Sequence, residues 1–353
     1  MLETLFRRAR QPARRVISAC GLALVAAAST VAASAAAAPA VRQLEIADYR
    51  GYLPEQHPVR QGMRAFADSA ARASGGRLQV KVRSDALPGS PAAQIAALRA
   101  GAPGAPALML VAGTGLGAQV KAFELLDLPY LVADAGQADA LLDGPFGQAL
   151  LARLAPAGLV GLAWWENGFR QFTTSSGPIR DARDLRGLDL RVIGEPVFVE
   201  TARALGANPV PLPFGELYGA LKAKRVAAQD NFISQILAGR LHEVQASLTL
   251  TNHSYSALVL AANAQAWAAL APREQGILQQ AALEAARVQR RAARAEAEAA
   301  RATLAAQGMA VHALAPRQSA ALRALTAPLR ERHFAAQDPE LRKLYEAGTA
   351  LAH

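Results

Sequence analysis

The chain has 353 residues, of which 52% are hydrophobic and 5% aromatic, with 38 Lys and Arg against 28 Asp and Glu. That length exceeds one ordinary core and predicts two lobes, and the apolar content excludes a disordered chain. The basic residues form no stripe interleaved with aromatics, which argues against a nucleic-acid partner.

The chain opens with Arg7, Arg8, Arg10, Arg14 and Arg15, then an apolar, uncharged run over 16–33, then a small-residue stretch over 34–40. A positive segment, an apolar segment and a small-residue exit predict a cleaved export signal over 1–39. A retained anchor is the competing reading, because the apolar run is near spanning length. The small-residue exit favours cleavage. Arg14-Arg15 leaves Sec and twin-arginine export both open. Cys20 is the only cysteine and lies inside the signal. The mature chain is therefore expected to hold no disulfide and no zinc–thiolate site. Without the signal, 33 basic and 27 acidic residues remain, a net +6 that favours anionic solutes. No later segment has 18 uninterrupted apolar residues, so the mature chain is not expected to enter a membrane.

Strand and helix signals then alternate. A strand is expected over 41–47, and helical spacing of Val59, Met63, Phe66 and Ala70 ends at Gly75-Gly76. Leu78, Val80 and Val82 alternate with polar residues as in a strand. Ser90-Pro91 opens a helix that Gly101 closes. A buried strand is expected over 107–112, a helix over 135–154 broken near Gly144-Pro145, and an apolar strand over 159–165. A second unit begins near Arg170. It has strands around 188–192, 210–212 and 226–229, and helices over 195–205 and 215–224. Two separate strands are expected over 247–251 and 257–262, crossing between lobes. Pro272 opens the longest helix, which runs to about 307, and its Arg/Glu content from 287 to 301 reads as a solvated face. A late strand over 309–314 and a C-terminal helix complete an α/β pattern.

Two arginines carry the most chemistry. Arg170 leaves a strand-like segment in Glu166-Asn167-Gly168-Phe169-Arg170-Gln171, and Arg191 lies in Leu188-Asp189-Leu190-Arg191-Val192. A guanidinium presents a planar fork of donors that fits a carboxylate with two parallel hydrogen bonds. Each arginine also has an ordinary reading: Arg170 as a surface residue, and Arg191 as a solvent-facing partner of Asp189. Asn231, in Gln229-Asp230-Asn231, either bonds a ligand or caps the helix expected from Phe232, and capping is the default. Phe214 is a pocket wall or plain core, with core favoured by composition. At least one of Trp164 and Trp165 should be core. The six histidines are scattered, His242-Glu243 lacks a second histidine at zincin spacing, and Gly113-Thr114-Gly115-Leu116-Gly117 is no dinucleotide fingerprint. No metal, cofactor or catalytic centre is therefore expected.

The stretch from Asn167 to Leu250 resembles the solute-binding subunit of tripartite ATP-independent periplasmic (TRAP) transporters, of the dicarboxylate-binding DctP type. The phrases that carry the resemblance are Asn-Gly-Phe-Arg-Gln at 167–171, Asp-Leu-Arg-Gly-Leu-Asp-Leu-Arg-Val at 184–192, the run from Ala204 to Leu221, Gln-Asp-Asn at 229–231 and His-Glu-Val-Gln at 242–245. Weaker matches at 55–58, 74–78, 128–130 and after Pro272 extend it over almost the whole mature chain. Departures are Ala227-Ala228 before the Gln-Asp-Asn phrase, Asp230 in place of glutamate, Phe232 where proline is common, and Gln94 near a frequent acidic position.

The resemblance implies two α/β lobes joined by crossing hinge strands, with a long helix spanning both. It places lobe I at 40–166 and 256–293 and lobe II at 167–255 and 294–345. It implies a periplasmic receptor and not an enzyme; nothing in the sequence suggests an obligate assembly, and a monomer is expected. Such a receptor captures a C4-dicarboxylate, sugar acid or related carboxylate and hands it to a membrane permease driven by an ion gradient. Arg191 is then the principal clamp, Arg170 the second, Asn231 a polar contact and Phe214 a wall. Residues 52–56 and the Gly113 loop would read the rest of the ligand. A module feeding a sensor and an exported enzyme acting on acidic substrates are the alternatives.

Overall fold

The computed structural model describes residues 41–51 and 53–350. The expected signal over 1–39 and Tyr52 lie outside the described residues. The described residues build one mixed sheet of nine strands: β1 (Arg42–Asp48), β2 (Leu78–Val82), β3 (Leu108–Ala112), β4 (Leu159–Thr174), β5 (Asp189–Val192), β6 (Asn208–Pro211), β7 (Ala228–Phe232), β8 (Ser247–Asn263) and β9 (Ala310–Ala313). Their order is β2-β1-β3-β8-β4-β7-β5-β6, with β9 also on β8. Parallel pairs flank each end, and the antiparallel pair β4–β8 forms the middle.

β4 and β8 are the joint of the molecule. They pair from Leu159–Asn263 at one end to Thr174–Ser247 at the other. β3 pairs with the 258–262 end of β8, while β9 and β7 attach to the opposite halves, at 247–250 of β8 and 170–174 of β4. The two strands expected over 247–251 and 257–262 are therefore one continuous strand, and the strand expected to stop at 165 runs on to Thr174. The polar phrase Glu166-Asn167-Gly168 and the left-handed Asn252 (φ 44°) and Gly168 (φ 106°) mimic turns locally, but they are bulges within a paired ladder.

The helix Pro272–Ala306 has 35 residues and is about 52 Å long. Ala, Arg and Glu are strong helix formers, Pro272 suits the first turn, and Glu274 accepts a hydrogen bond from the backbone of Ala271. Its first half packs Leu278, Ala282 and Ala285 with Ile46, Phe66 and Trp165, while its last turns pack Ala300 and Leu304 with Leu217 and Ile236. One helix thus contributes to the cores of both lobes. The face read as solvated is only partly so: Arg290 is buried, and it bonds Asp139, Asp143 and the carbonyl of Trp164. Trp164 and Trp165 are both buried and point into different core clusters, as successive residues of a strand must.

The helix limits predicted at Gly75, Ser90 and Gly101 hold. Ser90 accepts a hydrogen bond from Ala93, and Gly75 and Gly101 close their helices in the left-handed region. The 135–154 segment splits into Ala135–Asp143 and Pro145–Ala152. Among the described residues no helix is long and apolar enough to cross a membrane.

Candidate functional site

The predicted residues gather where β4, β7 and β5 run side by side. Arg170 is the register partner of Phe232, Gln171 of Asn231, and Arg191 of Gln229. Arg170 sits within β4 and not at its end, and it is 4% exposed.

Arg191 is 1% exposed. The solvent-facing reading is therefore wrong, and Asp189 takes a hydrogen bond from Asn208 instead. Nε and Nη2 of Arg191 both donate to the carbonyl of Leu212, at 2.9 and 2.7 Å. This fixes the turn between β6 and the helix Phe214–Lys222. Burial lowers the guanidinium to about 10, against the pull of Asp230. Among the described residues no carboxylate pairs with it.

Arg170 is held differently. Its Nε donates to the Asp230 carboxylate and its Nη2 to the Asp230 carbonyl, the latter at 2.8 Å. The rings of Phe198 and Phe232 lie 5.2 and 5.0 Å from its guanidinium carbon. Burial pushes the Asp230 carboxyl up, but Arg170 and His253 outweigh it and hold the group well below the usual range. Burial lowers His253 and keeps it neutral. Its Nε2 lies 3.3 Å from the Asp230 carboxylate, so that nitrogen carries the proton and Nδ1 accepts from Thr251 at 2.8 Å. The ring stacks on Phe172 at 4.0 Å. Arg170 and Asp230 cancel, His253 is neutral, and the charge of Arg191 is left over.

Asn231 is buried, and its Oδ1 accepts from the backbone of Phe232 at 3.0 Å. It does not cap the following helix, Ile233–Ala238, whose N-cap residue is Phe232 and has no side-chain cap. The expected helix start at Phe232 fails because β7 continues through that residue. Phe214 is not core: it is 39% exposed, at the first position of its helix.

A cavity of about 330 Å³ adjoins this cluster. Ser90, Thr114, Asp127, Glu195, Val197 and His333 are among the residues that line it. The arginines are not in its wall. They meet it through charge: Arg191 acts on Glu195, Arg170 acts on Asp127, and Phe198 beside Val197 covers Arg170. Sequence reasoning anticipated the Gly113 loop, whose Thr114, Gly115 and Gly117 line the space. It missed Asp127, Glu195 and His253. A carboxylate inside the apolar run Leu125-Leu126-Asp127-Leu128 was the available signal. A second cavity, of about 490 Å³, lies along the long helix beside Phe169, Asn252 and Arg294; Gln171 and Phe232, neighbours of Arg170 and Asn231, line it, but none of the four predicted residues does.

Residues 50–337 match the family described as bacterial extracellular solute-binding protein, family 7 (DctP). The 2,3-diketo-L-gulonate-binding periplasmic protein YiaO of Escherichia coli is 35% identical over 227 residues, which is 64% of this chain and 68% of that protein. The C4-dicarboxylate-binding periplasmic protein DctP of Rhodobacter capsulatus is 29% identical over 239 residues, 68% of this chain and 71% of that one. A TRAP periplasmic solute-binding protein from Ochrobactrum anthropi superposes with a TM-score of 0.82 at 33% identity, covering 89% of this chain and 96% of that one. The sugar acid binding protein DctPAm of Advenella mimigardefordensis, solved with galactonate, gives 0.78 at 31% identity over 89% and 99%. These neighbours share the two-lobed fold, and their family consists of binding receptors, not enzymes. A match over 50–337, on a fold with these crossing strands, means that the chain belongs to the DctP family of extracellular solute-binding proteins, the receptor subunits of TRAP transporters.

Proposed function

We propose that this receptor captures a small organic acid by its carboxylate, with Arg191 as the principal clamp. The observation that carries the reading is a buried guanidinium whose only protein partner among the described residues is one carbonyl, that of Leu212. Burying a charge is costly unless it is paired, and an incoming carboxylate supplies the pair. Arg170, already bound to Asp230, adds positive field and any donor that Asp230 leaves open. Asn231 supplies a polar contact, and Phe214 closes the rim. The cavity beside Ser90, Thr114 and Glu195 takes the body of the ligand.

Relatives are named for C4-dicarboxylates and 2,3-diketo-L-gulonate, and structural neighbours hold galactonate or glucuronate, so the ligand of this chain belongs to that range of carboxylates. Lobe I comprises 40–166 and 256–293, and lobe II 167–255 and 294–345. The receptor acts as a monomer in the periplasm after loss of residues 1–39, binds no nucleic acid, and passes its ligand to the permease subunits. A thermal-shift screen against C4-dicarboxylates, sugar acids and keto acids tests the reading. A ligand that binds only the folded chain raises the melting temperature by mass action. A shift with one acid class is expected, and silence across all carboxylates would overturn the proposal.

A further inference from the structure

The cavity beside the arginines has a wall of one sign. Its ionisable lining residues are Glu124, Asp127, Glu195 and His333, with no Lys or Arg among them. Asp127 is 5% exposed and lines the cavity, and its carboxyl group makes no hydrogen bond or ion pair among the described residues. A buried carboxyl group with no protein partner is costly to keep, and its open lone pairs face the space that a ligand would fill. Glu195, also in the lining, is exposed, Glu124 is half-buried, and His333 lies 3.3 Å from Glu200, which also takes Arg332.

Resting on the function proposed above, we infer that Asp127 is a specificity-determining residue. Together with Glu195 it accepts hydrogen bonds from hydroxyl groups at the end of the ligand remote from its carboxylate, so the receptor takes polyhydroxylated monocarboxylates and rejects C4-dicarboxylates. A dicarboxylate anchored on Arg191 would bring its second negative charge against Glu124 and Glu195, with no lysine or arginine in the wall to receive it. Like-charge contact of that kind disfavours the wrong partner and is a common basis of selectivity. A hydroxyl-bearing tail meets the same wall as a donor and supplies what Asp127 lacks. Burial, reinforced by Glu195, pushes the Asp127 carboxyl well up from its ordinary value, which suits a neutral donor or acceptor better than a cation.

Isothermal titration of the protein expressed from its full coding sequence, with galactonate, glucuronate, succinate and malate, tests the inference. Wild type should bind a sugar acid roughly a hundredfold tighter than succinate. Asp127→Asn should weaken the sugar acid about tenfold or more and narrow the gap to succinate. Glu195→Gln, at an exposed position, should move the ratio in the same direction and decides the matter if Asp127→Asn does not fold. Succinate binding as tightly as the sugar acids, or a ratio unmoved in both folded variants, overturns the inference while leaving the carboxylate clamp standing. Failure of every acid to bind, with Arg191→Ala indistinguishable from wild type, overturns the clamp as well.

Discussion

Arg191 and Arg170 look alike in the sequence and differ in their chemistry. Both are buried, but Arg170 has its counter-ion built in on the neighbouring strand, whereas Arg191 grips only a carbonyl. The difference assigns them different work. Arg170 spends its charge on Asp230 and holds β4 to β7, and in the function proposed above Arg191 keeps its charge for a ligand. Arg191→Ala should therefore weaken carboxylate binding by roughly 2–5 kcal/mol, since it leaves the ligand's charge buried without a partner. Arg191→Lys should restore little, because an ammonium lacks the planar fork and cannot hold the Leu212 carbonyl and a carboxylate in one plane. Calorimetric titration with an acid found by screening checks both, and wild-type affinity in the alanine variant would sink the assignment. The sequence pattern located both arginines but not their division of labour, which depends on Asp230 meeting Arg170 across a strand pair 60 residues apart in the chain.

Local signals were a good guide to the elements wherever the element's own residues set its limits. Ser90-Pro91 and Gly101 bracket a helix, and Gly144-Pro145 breaks one, because caps and breakers act within a few residues. They misled for β4 and β8, where two strands hold each other extended through polar and left-handed residues that would end either alone. His57 illustrates a local device with a global consequence. Its Nδ1 accepts a hydrogen bond from Val59 at 3.2 Å and so caps the helix Pro58–Ser74. Burial, with Arg50 and Arg60 nearby, lowers its pKa to about 3. The unfolded chain takes the proton first, near the ordinary value of about 6.5. The stability this neutral ring contributes is therefore full above that value and is lost as pH falls from about 6.5 toward 3. Buried His253, lowered by its own burial against the pull of Asp230, adds to the loss as pH falls below about 6.5. Denaturant titrations at pH 7 and pH 5 should show lower stability at pH 5. His57→Asn, which keeps a capping acceptor without a titrating ring, should reduce the difference, and an undiminished pH dependence in that variant would refute the role given to His57.

At the scale of the whole molecule, the crossing strands decide whether binding becomes a signal a permease can read. Glu166 is the fixed point: Gln289 of the long helix bonds both its backbone groups, at 2.8 and 2.7 Å, and Arg294 ties its carboxylate to Asp139. Immediately beyond it the ladder slips register and Gly168 adopts φ 106°. On the partner strand Asn252 takes φ 44° and exchanges hydrogen bonds with Gln171 at 2.6 and 2.9 Å. A clamped residue followed by a backbone bend on each strand is a hinge geometry, in which a few element positions absorb the rotation of two rigid lobes. A carboxylate on Arg191 in one lobe and hydroxyls on Asp127 in the other would draw the lobes together about that bend. Gly168→Ala tests this without touching either contact. A Cβ there has open space, with its nearest neighbour, Glu166 Oε1, 3.9 Å away, so the cost lies in the backbone conformation alone, about 1–3 kcal/mol. The variant should lose stability by that amount, or re-set the bend and bind more weakly with both arginines intact. Small-angle scattering with and without ligand should show compaction in wild type and less of it in the variant. A variant as stable as wild type that binds and compacts equally would place the hinge elsewhere in the crossing strands.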